Sequence, residues 1–255
     1  MAIPLLRIKL VSNMVDVHCH VDLYPDPMSI VNECEQLSIF TIAVTNLPSH
    51  FMLGYKKLLQ CKKVRLAVGM HPLYANMHAQ EFHYFLECLR HTSYIGEIGL
   101  DYSKEGIATK EIQYNSFERI LSSIKGQNKI LSIHSRKAES DVFDLLLKYE
   151  IKAAIFHWYT GPVTLVDKIA AAGYYFSINP EMVKSKNSIE TLRRIPPANI
   201  LTESDGPFIE CKKRVVKPSD LGIVSEHLAF ILKISHLSAQ AIIDNNFKRL
   251  ISIIR

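Results

Sequence analysis

ILSIHSRKAESDVFDLLLKYEIKAAIFHWY, residues 130–159, decides the fold. Its ends, ILSIHS (130–135) and AAIFHWY (153–159), are short apolar runs of strand type. Between them Val142, Leu145, Leu146 and Tyr149 recur at helical spacing and share one face. A strand, a helix and a second strand in that order make a βαβ unit, whose strands run parallel.

The same rhythm extends outward in both directions. VDVHCH (15–20), FTIAVTN (40–46), VRLAVGMH (64–71) and YIGEIGL (94–100) precede the unit, and YYFSIN (174–179) and ILTESDG (200–206) follow it. Strand then helix, eight times over, predicts an α/β fold of one domain, a closed (β/α)8 barrel over residues 14–255. LSAQAIIDNNFKRLISII should be the closing helix, with Ser238 as its N-cap. Residues 1–13, MAIPLLRIKLVSN, are expected to form an extra strand or a disordered lead-in. Their apolar run is short for a signal peptide, and the patterned sequence begins at Met14, a candidate start.

Composition narrows the class. The chain has 255 residues, enough for one sizeable core, and is 48% hydrophobic and 22% charged, as in a globular protein. A net charge of +5 permits a polyanionic partner without demanding one. Five cysteines, odd in number and without a CxxC, point to reduced thiols and a cytoplasmic setting. No apolar run approaches the ~20 residues that cross a bilayer, so no membrane partner is expected.

The polar residues that interrupt the apolar strands cluster near their C-terminal ends. His18 and His20 end the first run, His71 follows the third, and Glu97 lies in the fourth. His134 and Arg136 close the fifth, His157 is late in the sixth, and Glu203 and Asp205 are in the eighth. In a barrel these ends converge on one face, where active sites of the fold lie. Each alone has an ordinary reading: Arg136 could form a rim salt bridge and His71 could cap a loop. Together they form a costly group to bury without a metal or substrate. Two divalent ions fit the chemistry: His18, His20 and Asp205 can hold one, His134 and His157 the other, with Glu97 as bridge. Zinc, manganese, iron and magnesium all remain open. His50, His78, His83, His91, His227 and His236 fall in helices or loops outside this group, and Asp22 should steady the first loop or a nearby histidine.

These residues resemble the TatD-type metal-dependent deoxyribonucleases among the amidohydrolase-like barrels. The resemblance rests on DVHCHVD, GMHP, GEIGLDY, SIHSRKA, FHWYTG, TESDGPF and NNFKRL, in order from Met14 to the C-terminus. It implies a distorted TIM barrel and a metal-dependent DNase or exonuclease, with metal ligation by His18, His20, Glu97, His134, His157 and Asp205. Asp205 would accept the proton of the attacking water, Glu97 would bridge the ions, and Arg136, His71 and Glu203 would stand on the substrate side. An ester or amide hydrolase, or an aminoacyl-tRNA deacylase, fits the same resemblance. Tyr24-Pro25-Asp26-Pro27 and Trp158 give a narrower resemblance to the TatD-like subunit of the Qat bacterial anti-phage defence system. That would add other defence subunits as partners and allow a largely non-catalytic role. YPDP also reads simply as the start of the first helix. The cluster Lys212, Lys213, Arg214 and Lys217 can follow a nucleic-acid backbone or form a solvated rim loop. No aromatic-interleaved basic patch of the kind that binds single strands is visible in the sequence.

Overall fold

The structure, a computed structural model, describes residues 14–254 apart from Lys212. The expectation for residues 1–13 lies outside the described residues. Eight parallel strands follow one another in chain order: β1 (Val15–Cys19), β2 (Phe40–Val44), β3 (Val64–Met70), β4 (Tyr94–Gly99), β5 (Ile130–His134), β6 (Ala154–His157), β7 (Tyr175–Ile178) and β8 (Ile200–Thr202). Each matches one of the eight apolar runs and stops short of its C-terminal end. Glu203 and Asp205 therefore lie just beyond β8 rather than in it.

Helices fill the connections: α1 (Pro27–Leu37), α2 (Pro48–Leu58), α3 (His78–Cys88), α4 (Lys110–Ile124), α5 (Glu139–Lys148) and α6 (Val163–Ala171). Two short helices, α7 (Pro180–Lys184) and α8 (Ser188–Arg194), join β7 to β8. After β8 a small hairpin, β9 (Glu210–Cys211) and β10 (Arg214–Val215), leads to α9 (Gly222–Leu232) and α10 (His236–Ile251). On α5, Val142, Leu145 and Leu146 are buried against the sheet, as their spacing predicts. YPDP does start α1: Asp26 caps it by accepting from Ser29 N (3.1 Å), and Pro27 is its first residue. The cap of α10 is Ser235, not Ser238. Ser235 has extended backbone and its Oγ accepts from Ser238 N at 3.1 Å, whereas Ser238 is already inside the helix.

The barrel is nearly closed, and its seam is stitched between β1 and the end of β8. Thr202 Oγ1 donates to the Val15 carbonyl, Ser204 N to Asp16 Oδ1 (3.0 Å), and Asp205 N to the His18 carbonyl (3.0 Å). His20 N then donates to the Gly206 carbonyl at 2.8 Å. The same bonds that close the sheet thus fix His18, His20 and Asp205 relative to one another.

Register slips where the site residues sit. Pairing is irregular between Asp16 and Cys19, between Val68 and Met70, and between Ile95 and Ile98. Such irregularities re-aim side chains next to active sites. At Gly69 the backbone of β3 lets the chain after β2 reach across to β4: Glu97 N donates to the Thr45 carbonyl at 3.2 Å. A Cβ on Gly69 would fall onto that carbonyl and within 2.9 Å of Glu97 N. Gly69→Ala should therefore lower the melting temperature by roughly 2–12 °C, from about 1–3 kcal/mol of overpacking. Gly222→Ala, where a Cβ meets nothing within 4 Å, should leave it near wild type. Thermal unfolding of both variants checks this, and equal melting temperatures would contradict it.

Candidate metal centre

The C-terminal strand ends gather His18, His20, Glu97, His134, His157 and Asp205 into one cluster, with His71 beside them. Alternation along β1 turns His18 and His20 the same way, and their Nε2 atoms lie 3.3 Å apart. Glu97 is the centre of the group. Its Oε2 lies 3.2 Å from His20 Nε2 and 3.6 Å from His18 Nε2. Its Oε1 lies 2.5 Å from His134 Nδ1, 2.9 Å from His157 Nε2 and 3.3 Å from His71 Nε2. One oxygen faces each half of the cluster. Asp205 Oδ1 lies on the first side, 3.7 Å from His18 Nε2 and 3.9 Å from His20 Nε2.

Polar residues behind the cluster aim its histidines. His18 Nδ1 meets Ser132 Oγ at 2.7 Å, which leaves Nε2 facing inward. His134 Nε2–H donates to Asp101 Oδ2 at 2.8 Å, so Nδ1 is its inward atom. His157 Nδ1 faces Glu203 Oε2 at 3.8 Å, an ion-pair distance without a hydrogen bond. Partners of this kind fix ring orientation and tautomer in metal sites.

The electrostatics are lopsided. Among the described residues none of the buried polar ones is a lysine or arginine, yet Asp16, Glu97, Asp101, Glu203 and Asp205 are all buried. Burial pushes the Glu97 carboxyl up, but His71, His157 and His134 around it outweigh this and hold it well below its ordinary range. Asp205 goes the other way: burial, then the nearby Glu203 and Glu97 carboxylates, raises it well above the usual value. Burial and the stacked His157 ring, 3.9 Å away between centroids, hold His18 well below the ordinary histidine value. Burial pulls His157 down too, but Glu97 and Glu203 carry it well above the ordinary value.

Carboxylates and imidazole nitrogens converging with no buried lysine or arginine among the described residues are the donor set of a divalent metal site. Three overlapping trios have donor atoms within 4.8 Å of one another: His18, His20 and Asp205; His18, Glu97 and His157; and His71, Glu97 and His134. The residues present fit the group.

The substrate-side candidates fall in three different places. Arg136 stands at the mouth, 54% exposed, with Nη1 3.6 Å from Glu105 Oε2, so it lines the cleft and also makes the rim ion pair. His71 also combines both readings: Nδ1 accepts from Leu73 N (3.1 Å) while Nε2 faces Glu97. Glu203 lies beneath the site, fully buried. It accepts from Trp158 N (3.0 Å), Asn179 Nδ2 (3.0 Å) and Ser177 Oγ. That is the placement of a positioning group behind His157.

Outside the cluster, Asp22 Oδ2 is 4.0 Å from His50 Nδ1, a loop contact. His78 meets Ser116 Oγ at 2.7 Å and donates to the His71 carbonyl at 3.0 Å, backing the His71 loop. In the hairpin Arg214 is paired with Asp220, and just after it Lys217 is paired with Glu33.

Sequence reading missed Asp101, Ser132, Ser177 and Asn179. Asp101 follows β4 in GEIGLDY and meets the strand-end criterion that picked out the others. Ser132 shares the inward alternation with His134, as Ser177 does with Asn179. The signal was a polar residue at an inward position.

Above the cluster opens a cleft of about 570 Å³, lined by His20, His71, Glu97, His134, His157 and Asp205, with Arg136, Tyr74, Trp158 and Phe208 among its walls.

Residues 15–252 match the family model described as TatD related DNase. A Buchnera aphidicola protein named as an uncharacterized metal-dependent hydrolase, BU355, is 27% identical over 265 residues, covering 94% of this chain and 99% of the relative. The human deoxyribonuclease TATDN3 is 24% identical over 245 residues, covering 87% of this chain and 88% of the relative. The crystal structure of the Escherichia coli TatD homolog YJJV superposes with a TM-score of 0.85 at 18% identity, over 94% of this chain and 98% of that one. At that identity the likeness speaks to the fold.

Asp101→Asn should weaken divalent-metal binding roughly 10–100-fold by releasing His134 from its orientation. Asp22→Asn should leave it unchanged. Competition against a chelating dye measures both, and equal affinities would contradict the positioning role of Asp101.

Proposed function

The chain belongs to the TatD related DNase family, and on that footing we propose that it is a metal-dependent nuclease that hydrolyses DNA phosphodiester bonds from a strand end. The observation that carries this is the division of Glu97, one oxygen to His18 and His20, the other to His134, His157 and His71. A carboxylate so placed supports two cation positions, with His18, His20 and Asp205 at one and His134 and His157 at the other.

Bound there, divalent cations would acidify water and neutralise charge on the phosphoryl oxygens. The chain's own residues do the rest. Asp205 turns Oδ1 to the histidines, and its carboxyl takes the proton of the attacking water. Arg136 offers a fork of donors to a neighbouring phosphate; its exposed pair with Glu105 is cheap to exchange for one. His71 holds the reacting phosphate from the β3 side. Glu203 holds the backbone next to His157 by accepting from Trp158 N.

The setting we propose is cytoplasmic. All five cysteines are free, and no helix among the described residues is long and apolar enough to cross a membrane. Partnership with other defence subunits rests on YPDP and Trp158 alone, and YPDP already has a local task in starting α1.

Metal-free protein reloaded with magnesium, manganese or zinc should cleave end-labelled DNA. Glu97→Ala should lose at least ~100-fold in kcat, as expected on removal of a principal charge-stabilising group, and Arg136→Ala should chiefly raise KM. Cleavage that survives both chelation and Glu97→Ala would contradict the proposal. Ester turnover without cleavage of any nucleic acid would favour the ester or deacylase reading. Cleavage only on addition of defence subunits would favour the complex.

A further inference from the structure

The aromatic walls of the cleft have no task in the hydrolysis just described. Tyr74 follows β3, Trp158 follows β6 and Phe208 follows β8, so three separate loops bring three rings to one cavity. Tyr74 is 40% exposed and Phe208 59%, while Trp158 is half-buried. Large rings left open to water around a concave site mark a binding surface.

Each ring is tied to the metal centre. Tyr74 stands edge-on to His71, with 6.0 Å between centroids, and Phe208 edge-on to His20 at 5.0 Å. Trp158 directly follows His157 and has φ of +38°, a left-handed conformation that is an outlier for so bulky a residue. The conformation is held from behind, because Trp158 N–H donates to Glu203 Oε1 at 3.0 Å. Asn179 donates to that same oxygen and Ser177 to the other. A strained residue held by a buried carboxylate, with its side chain on the cavity wall, is a positioned contact. Arg136 completes the wall with an exposed guanidinium.

We propose that Tyr74, Trp158 and Phe208 form a stacking platform for unpaired nucleobases flanking the scissile phosphate, with Arg136 on the adjoining phosphate. The inference deepens the nuclease reading and rests on it. Every base presents a π-face, so such a platform accepts any sequence. A base inside a duplex is already stacked on both sides, so the platform selects single strands or frayed ends. Glu203 acts here as a positioning residue, through the Trp158 backbone.

Trp158 is the only tryptophan of the chain, so its fluorescence reports the platform directly. The protein as purified is titrated with a phosphorothioate-linked oligothymidylate, which resists cleavage, and with a matched abasic oligomer of the same linkages. Affinities are read by anisotropy of an end label. The base-bearing strand should quench Trp158 saturably and bind roughly 5–150-fold tighter than the abasic one, the range of one stacked base. Tyr74→Ala and Phe208→Ala should each narrow that ratio, with melting temperature as the check on folding. Equal affinities, or no quenching by the base-bearing strand, would overturn the platform. The two readings separate cleanly. Base-dependent quenching without cleavage of any nucleic acid upholds the platform and removes the hydrolysis. Cleavage that is indifferent to the bases removes the platform and leaves the hydrolysis.

Discussion

A carboxylate with an imidazole group on either side is the constraint the rest of the molecule serves. Glu97 is 3% exposed, and no lysine or arginine among the described residues is buried to meet its charge. An ionised carboxylate so placed must be compensated locally, and the histidines that do so come from three strands, β1, β5 and β6, and from the chain just after β1 and β3. The nearly closed arrangement of parallel strands delivers residues so distant in sequence, from His18 to His157, to the two oxygens of one side chain. The barrel is the means of surrounding Glu97.

Several local features follow from that demand. Gly69 has no side chain because the chain after β2 must touch the backbone of Glu97 across β3. The β1–β8 seam is held by Asp16 and by main-chain bonds from the same residues that supply His18, His20 and Asp205. Behind the imidazoles, Ser132, Asp101 and Glu203 take inward positions that an ordinary core would give to aliphatic residues. Stability is given up there for a fixed donor geometry, the usual trade at a functional site.

The barrel and the heart of the site were legible in the sequence for one reason: parallel strands covered by helices are apolar, so polar residues at their ends stand out. All eight strands were found, and so were the histidines and carboxylates that the structure gathers around Glu97. What stayed hidden depends on tertiary placement. Glu203 reads like Asp205 two residues away, yet one is sealed beneath His157 and the other lines the cleft. Ser235 and Ser238 both suit a helix start, and only the path of the chain chooses Ser235. Arg214 and Lys217 look like a free basic loop until Asp220 and Glu33 arrive beside them. The aromatic wall left no linear signal, because Tyr74, Trp158 and Phe208 are far apart in the chain and meet only through the barrel mouth.

The cluster is proposed to be built around two divalent cations shared by Glu97. Elemental analysis of the protein after chelation, reloading with manganese or zinc and removal of unbound metal counts them directly. The wild-type chain should retain two ions and Glu97→Ala fewer, with the variant still folded by its thermal melt. A wild-type chain that retains none, or a Glu97→Ala chain that retains both, would contradict it.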